Sequence, residues 1–283
     1  MEAGLIDQAK SRQRAPSNRD YAKGLLRAFG GAVIFAFPLL MTMEMWWLGS
    51  YMERLRLLLF LALNVLLLLG LSYFAGFRRT FDLKADALDA FAAYGVGILA
   101  STAMLALLGL VTIDMPLGES VGKIAVQAVP ASIGAMAARG QLGENEDDSE
   151  MNQGGYAGQL FLMLAGAVFL AFNVAPTEEM LLIAFLMTPW HGLALVLTSV
   201  VILHAFVYSL DFAGEEKLPG DGGFWRSFFS YSLPGYAIAL IVSLYVLWTF
   251  GRTDGAAAGQ IAMMTTVLGF PSALGAAIAR LVV

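Results

Sequence analysis

Apolar residues run along this chain in long blocks separated by short polar joints. Blocks of membrane-spanning length fall at about 24–48, 55–76, 88–112, 121–138, 156–175, 190–212, 228–250 and 257–282. About 20 apolar residues suffice to cross the hydrocarbon core of a bilayer as a helix, so the pattern predicts eight transmembrane helices. Lys123 and Gln127 open the fourth block. A further apolar piece, 180–188, is too short to cross alone and reads as interfacial or re-entrant. Residues 1–23 are polar and mixed in charge. They do not read as a cleaved signal peptide, since no short apolar core precedes a small-residue cleavage site, and the distribution of basic residues makes them a cytoplasmic arm. Gly140–Gly155 is the clear hydrophilic stretch between blocks. It carries Glu144, Glu146, Asp147, Asp148 and Glu150 without a basic residue.

Composition agrees with lipid as the solvent. The chain is 58% hydrophobic and 14% charged, with a mean hydropathy of +0.70. An ordinary soluble domain has about 25% charged residues. The fold class expected is therefore an all-α polytopic membrane protein. No cysteine is present and histidine occurs twice, at His191 and His204. That excludes thiolate chemistry, disulfides and Cys-based metal centres, and no cofactor is expected. The basic residues then set the orientation. Thirteen lie on the side of the N-terminus and four, Arg54, Arg56, Lys123 and Arg252, on the other. Both termini should face the cytoplasm of a bacterial inner (plasma) membrane.

The two halves of the sequence resemble each other. Gly31–Phe37 matches Gly166–Phe172 at an offset of 135, which also pairs Thr42 with Thr177, Glu44 with Glu179 and Met45 with Met180. Eight of these fifteen positions are identical. Later, Gly122-x-Ile124-Ala125 recurs as Gly259-x-Ile261-Ala262, and Pro130–Arg139 recurs as Pro271–Arg280. An ordered series including Glu, Thr, Pro and Arg is not explained by shared apolar composition. The expected organisation is a four-helix membrane repeat over 24–140, an acidic linker over 141–155 and a second four-helix repeat over 156–283. Four spans is an even number, so both repeats enter the membrane in the same direction. They should be parallel repeats related by a pseudo-two-fold axis along the membrane normal.

Candidate chemistry gathers just after the first span of each repeat. Glu44, Glu178 and Glu179 each follow a span and a proline, with Thr42 or Thr177 beside them and apolar sequence on both sides. Ionisable groups in such settings are costly and usually face a cavity or a partner. The structural alternative is that Thr177 caps a short helix and the acids complement its dipole in the first turn. Asn64, Ser101, Thr102, Gln127, Asn173 and Tyr231 are further polar groups within the apolar blocks. Gly134-xxx-Ala138 and Gly275-xxx-Ala279 are small-residue patterns that let helices approach closely.

Three resemblances follow from these residues. Asn173-Val174-Ala175-Pro176-Thr177-Glu178 is similar to the Asn/Pro/Glu motif of cation/calcium exchangers, which implies that the acid and Asn173 meet a cation. The match has an extra threonine, is absent from the first repeat, and those exchangers use inverted repeats. Glu178, Glu179 and His204 resemble the metal or water site of membrane-embedded prenyl-protein-type proteases, which implies an intramembrane hydrolase. Here Ile183 stands where that motif has arginine, and a second downstream histidine is missing. Length, duplication and Pro176-Thr177-Glu178-Glu179-Met180 together resemble a family of bacterial integral membrane proteins known by a domain of unknown function. The favoured reading is a channel or carrier for a small solute, a cation such as Ca2+, Na+ or H+, and not an enzyme. Its pathway residues are Glu44, Glu178, Glu179, Thr42, Thr177 and Asn173. The rivals are a metal-dependent hydrolase and a non-catalytic subunit or sensor. The bilayer is the partner, with a small cation and a second copy of the chain as further candidates and no nucleic acid.

Overall fold

The computed structural model describes residues 18–74, 83–141, 155–209 and 224–282. Most of the expected N-terminal arm and acidic linker lie outside these. The described chain is all helix: α1 Asn18–Leu40, α2 Met43–Tyr51, α3 Arg54–Phe74, α4 Leu83–Leu107, α5 Leu117–Gln141, α6 Gly155–Val174, α7 Glu178–Leu186, α8 Pro189–Ser209, α9 Phe224–Ser227, α10 Leu233–Thr249 and α11 Ala258–Val282. A five-residue π-helical segment, Phe228–Ser232, joins α9 to α10, so Phe224–Thr249 forms one span. Eight helices among the described residues are long and apolar enough to cross a membrane.

One boundary differs from the sequence expectation for a physical reason. Residues 24–48 are not one span: α1 stops at Leu40 and a separate nine-residue helix, α2, follows. Pro38 lies inside α1 rather than at its end. The apolar stretch 180–188 is the short helix α7, placed after α6 as α2 is placed after α1. Periodicity cannot reveal the first break, because apolar residues continue through it.

Each half is built around its last helix. In the first, α5 packs against α1, α2, α3 and α4; in the second, α11 packs against α6, α7, α8 and α10. The approach is close because glycine faces backbone. A Cβ on Gly31 would meet the Gly134 carbonyl and Ala138, and one on Gly166 would meet the Gly275 carbonyl and Ala279. A third crossing sets Gly49 of α2 on Gly122 of α5. Apolar burial between helices gains little in lipid, so such packing and interhelical hydrogen bonds hold membrane bundles. Polar partners are indeed buried between helices. Asn64 donates from Nδ2 to Ser132 Oγ at 2.9 Å, Gln127 Nε2 donates to the Ala36 carbonyl at 3.0 Å, and Ser243 and Ser272 meet at 2.9 Å.

The third and seventh spans end alike. Gly109 (φ 72°) and Gly251 (φ 73°) take the left-handed conformation. The next N–H reaches back to Leu105 or Leu247 at 2.8 Å, closing a Schellman-type turn. The two halves meet through α3 against α6 and α10, and through α1 against α6. Phe35 and Phe169 touch at 4.7 Å between ring centroids, and Phe60 sits edge-on to Phe172 and Phe250 at 5.2 and 5.8 Å. Near the other end Phe74 stacks on Phe161 at 5.0 Å, and the Phe161 ring fills the space beside Gly70. The outward faces are apolar, with Ile34, Leu66, Leu107 and Trp190 exposed, as lipid contact requires.

Candidate functional site

The sequence-predicted residues collect at two helix breaks of one design. At the first, Thr42 is extended (φ −102°, ψ 124°). Its N–H and its hydroxyl both donate to the Leu39 carbonyl, at 3.1 and 2.8 Å. At the second, Thr177 (φ −70°, ψ 143°) does the same to the Val174 carbonyl, at 3.1 and 2.8 Å. Both threonines occupy the residue before a short helix, yet neither hydroxyl caps it. The hydroxyl instead turns back and satisfies a carbonyl of the span that has just ended, the local competition that Thr side chains offer a helix.

The first turns of α2 and α7 are therefore left without a hydroxyl acceptor from the cap, and acids occupy them. Glu44 stands in the first turn of α2, and Glu178 and Glu179 in that of α7. A carboxylate there complements the partial positive charge of the exposed N–H groups. The environments differ: Glu44 is half-buried, whereas Glu178 and Glu179 are exposed. Thr42 and Thr177 are half-buried, as is Asn173. Asn173 turns its Nδ2 onto the Phe169 carbonyl of its own helix at 2.8 Å, so it braces the last turn of α6.

The remaining carbonyls at the breaks are satisfied differently. In the first, the Trp46 indole Nε1 donates to the Leu40 carbonyl at 2.8 Å. In the second, the Arg252 guanidinium donates to the Pro176 carbonyl, two residues before Glu178. A fixed cation thus sits beside one acidic turn and an indole beside the other. Lys123 and Arg56, at the same end, are also engaged. Lys123 Nζ lies 2.7 Å from Glu119 and 3.3 Å from the Leu110 carbonyl, with Met115 Sδ at 3.7 Å. Ser50 Oγ donates to Glu119 at 3.4 Å. Arg56 binds Asp254 through two bonds of 2.8 and 2.7 Å and lies over the Trp248 ring. That guanidinium holds the Asp254 carboxyl below its ordinary range.

Sequence reasoning used Arg56, Lys123 and Arg252 as topology markers and missed their bonds. The signal was present: each is a cation beside apolar sequence on the side poor in basic residues. The partners of Arg56 and Arg252 lie in a distant loop and at another helix break and carry no local signature. Lys123 instead meets Glu119 four residues earlier in its own helix, a spacing the sequence does show.

The structure does not bring Glu178, Glu179 and His204 together. His204 lies 15 residues beyond Pro189, the start of α8, which is about 22 Å along the helix. Its ring partners are Tyr208, Phe224 and Phe228. Among the described residues no group of three or more His, Asp or Glu side chains is placed to hold a metal ion. The arrangement expected of the intramembrane hydrolase is thus not assembled by those three residues.

Residues 24–283 match the model of a family described as "Putative integral membrane protein (DUF2391)". No curated protein and no solved structure matches the chain.

Proposed function

The chain belongs to this integral membrane family, and from that premise we propose that it is a transport protein for a small cation. One observation carries the reading: the first span of each half breaks at a corresponding position and resumes as a nine-residue helix with glutamate in its first turn. Discontinuous helices at matching positions of two halves are the strongest sequence-level pointer to a binding site in transporters built from repeats. A continuous helix would have no unwound backbone there. The breaks create helix starts whose first-turn acids can meet an ion that has shed part of its water.

In this reading the halves are parallel repeats about an axis along the membrane normal. Both breaks then lie on the outer side of a bacterial inner membrane, with the termini in the cytoplasm. Glu178 and Glu179 attract cations at the surface, and Glu44 provides the half-buried carboxylate that an ion reaches next. Thr42 and Thr177 hold the ends of α1 and α6 in place. The protein performs no chemistry on its solute.

The test is cation flux into proteoliposomes holding the purified full chain, over a panel of Na+, Ca2+ and H+. Glu44→Gln and Glu179→Gln should each lower flux per folded protein while insertion is unchanged. Full flux in the double variant would remove both acids from the mechanism.

A further inference from the structure

At the opposite end of α8 from the breaks, a cavity of about 480 Å³ opens between α8 and the start of the seventh span. This volume lies within the range of small-molecule pockets, about 300–1,000 Å³. The Tyr208, Phe224, Trp225 and Phe228 rings line it, with Ala205 at one wall. His204 also lines it and is 6% exposed. Its Nδ1 is 2.7 Å from Ser232 Oγ, whereas its Nε2 is buried with no hydrogen-bond partner. The nearby Phe224 ring stands edge-to-face with the imidazole at 4.3 Å, and π faces are weak substitutes for an oxygen acceptor.

The backbone is irregular at this place. Phe228–Ser232 is the π-helical segment, and its last residue is the serine that anchors His204. Single π turns within α-helices are frequent at functional sites. Here the turn delivers a hydroxyl to Nδ1. With Ser232 donating, Nδ1 accepts and the ring proton resides on Nε2. Nε2–H is then a buried donor lacking its acceptor.

We propose that this cavity binds a bilayer amphiphile, its apolar body among the four rings and a carbonyl oxygen, admitted by a shift of the rings packed on the imidazole, accepting a hydrogen bond from His204 Nε2–H. An apolar ligand without oxygen would leave the donor unpaired, and a water-soluble one would not match the ring lining. Trp225 is 67% and Tyr208 53% exposed, so the cavity opens to the outside of the bundle where the α8 span ends and the seventh span begins. Two membrane molecules present this chemistry, an acyl-ester phospholipid and a tailed quinone.

The chain has two histidines, so imidazole ¹⁵N spectra of the whole protein resolve His204 against His191 as an internal reference. The protein is held in dodecyl maltoside, which has no carbonyl, and titrated separately with a short-chain diacyl phosphatidylglycerol and a short-tailed benzoquinone. The proposal expects the proton on Nε2 before addition and a saturable shift of the His204 Nε2–H resonance with His191 unmoved. Ala205→Phe, which fills the cavity from an exposed position, should abolish that shift, as should Val201→Phe. Response to phosphatidylglycerol alone identifies a lipid site; response to the benzoquinone alone identifies a quinone site. A proton on Nδ1, no shift with either probe, or equal shifts at both histidines would overturn the proposal.

Discussion

Arg56, in the first turn of α3, grips Asp254, in the loop before α11, through two parallel hydrogen bonds of 2.8 and 2.7 Å. The residues are 198 positions apart and belong to different halves, so this fork ties the two bundles at one end. The Phe74–Phe161 stack does so near the other end of α3. Between them the halves are joined by ring contacts, whose packing does not fix an angle as a bidentate pair does.

The first prediction is that Asp254→Asn lowers stability by about 1 kcal/mol, the upper range for an exposed pair with favourable geometry. Arg56 depresses the Asp254 pKa below its ordinary 3.8. The contribution is therefore fully present above that value and lost as pH falls through the lower folded-state value. Thermal unfolding in detergent should separate wild type from Asp254→Asn at neutral pH and bring them together below that range. A constant gap at all pH values would contradict the assignment.

A second prediction concerns the glycine crossings. Gly166→Ala puts a methyl group onto the Gly275 carbonyl, and Gly31→Ala puts one onto the Gly134 carbonyl and Ala138. Both are backbone contacts that cannot swing aside, so each should cost about 1–3 kcal/mol or more. Gly95→Ala, in α4 with nothing within 4 Å of the added atom, should gain up to about 1 kcal/mol from helix propensity. Melting temperatures of the three variants check the contrast. Equal effects would mean that the crossings are looser than the structure has them.

Much of this was legible in the chain, and the failures have one cause. Hydropathy locates spans because lipid demands long apolar helices, and the α5 and α11 spans are found despite Lys123, Gln127 and two internal prolines. It misses the end of α1 because Met41 and Thr42 are as compatible with lipid as with a helix, whereas the break is a matter of backbone hydrogen bonding. The threonine-acid pairing marks both places, but only Thr177 reads as the start of a short helix, and the direction of each hydroxyl follows from backbone geometry. The Arg56–Asp254 fork and the Arg252–Pro176 contact join residues by tertiary placement, and the Trp46–Leu40 bond, six residues long, depends on the turn between α1 and α2. The π turn under His204 has no composition of its own: Phe-Phe-Ser-Tyr-Ser reads as ordinary helix.

Topology gives a third prediction. With the basic side in the cytoplasm, Ile113→Cys and Thr253→Cys should react with a membrane-impermeant maleimide added to intact cells. Ser149→Cys, in the acidic segment outside the described residues, should react after permeabilisation. The chain has no cysteine of its own, so each signal has a single origin. Labelling of Ser149→Cys from outside would invert the orientation and move both breaks to the cytoplasmic side.

The last prediction separates charge from hydrogen bonding at the second break. The Arg252 guanidinium lies on the Pro176 carbonyl, close to the first-turn acids Glu178 and Glu179. A unit charge acts on a cation 10 Å away in water with about 0.4 kcal/mol, about a factor of two in local concentration. If cations enter past these acids, Arg252→Gln should raise flux about twofold at low ionic strength, since the amide keeps a donor for the carbonyl but loses the charge. Arg252→Lys keeps the charge and should leave flux unchanged. The gain should fade above about 0.1 M salt, where the screening length is about 10 Å. Trp46→Phe is the companion variant: it removes the indole donor from Leu40 without altering charge, so it should cost about 1 kcal/mol of stability and leave the salt dependence of flux intact. Proteoliposome flux at several ionic strengths, normalised to folded protein, reads all three. Identical flux for Arg252→Gln and Arg252→Lys at every salt concentration would show that cations do not pass this break.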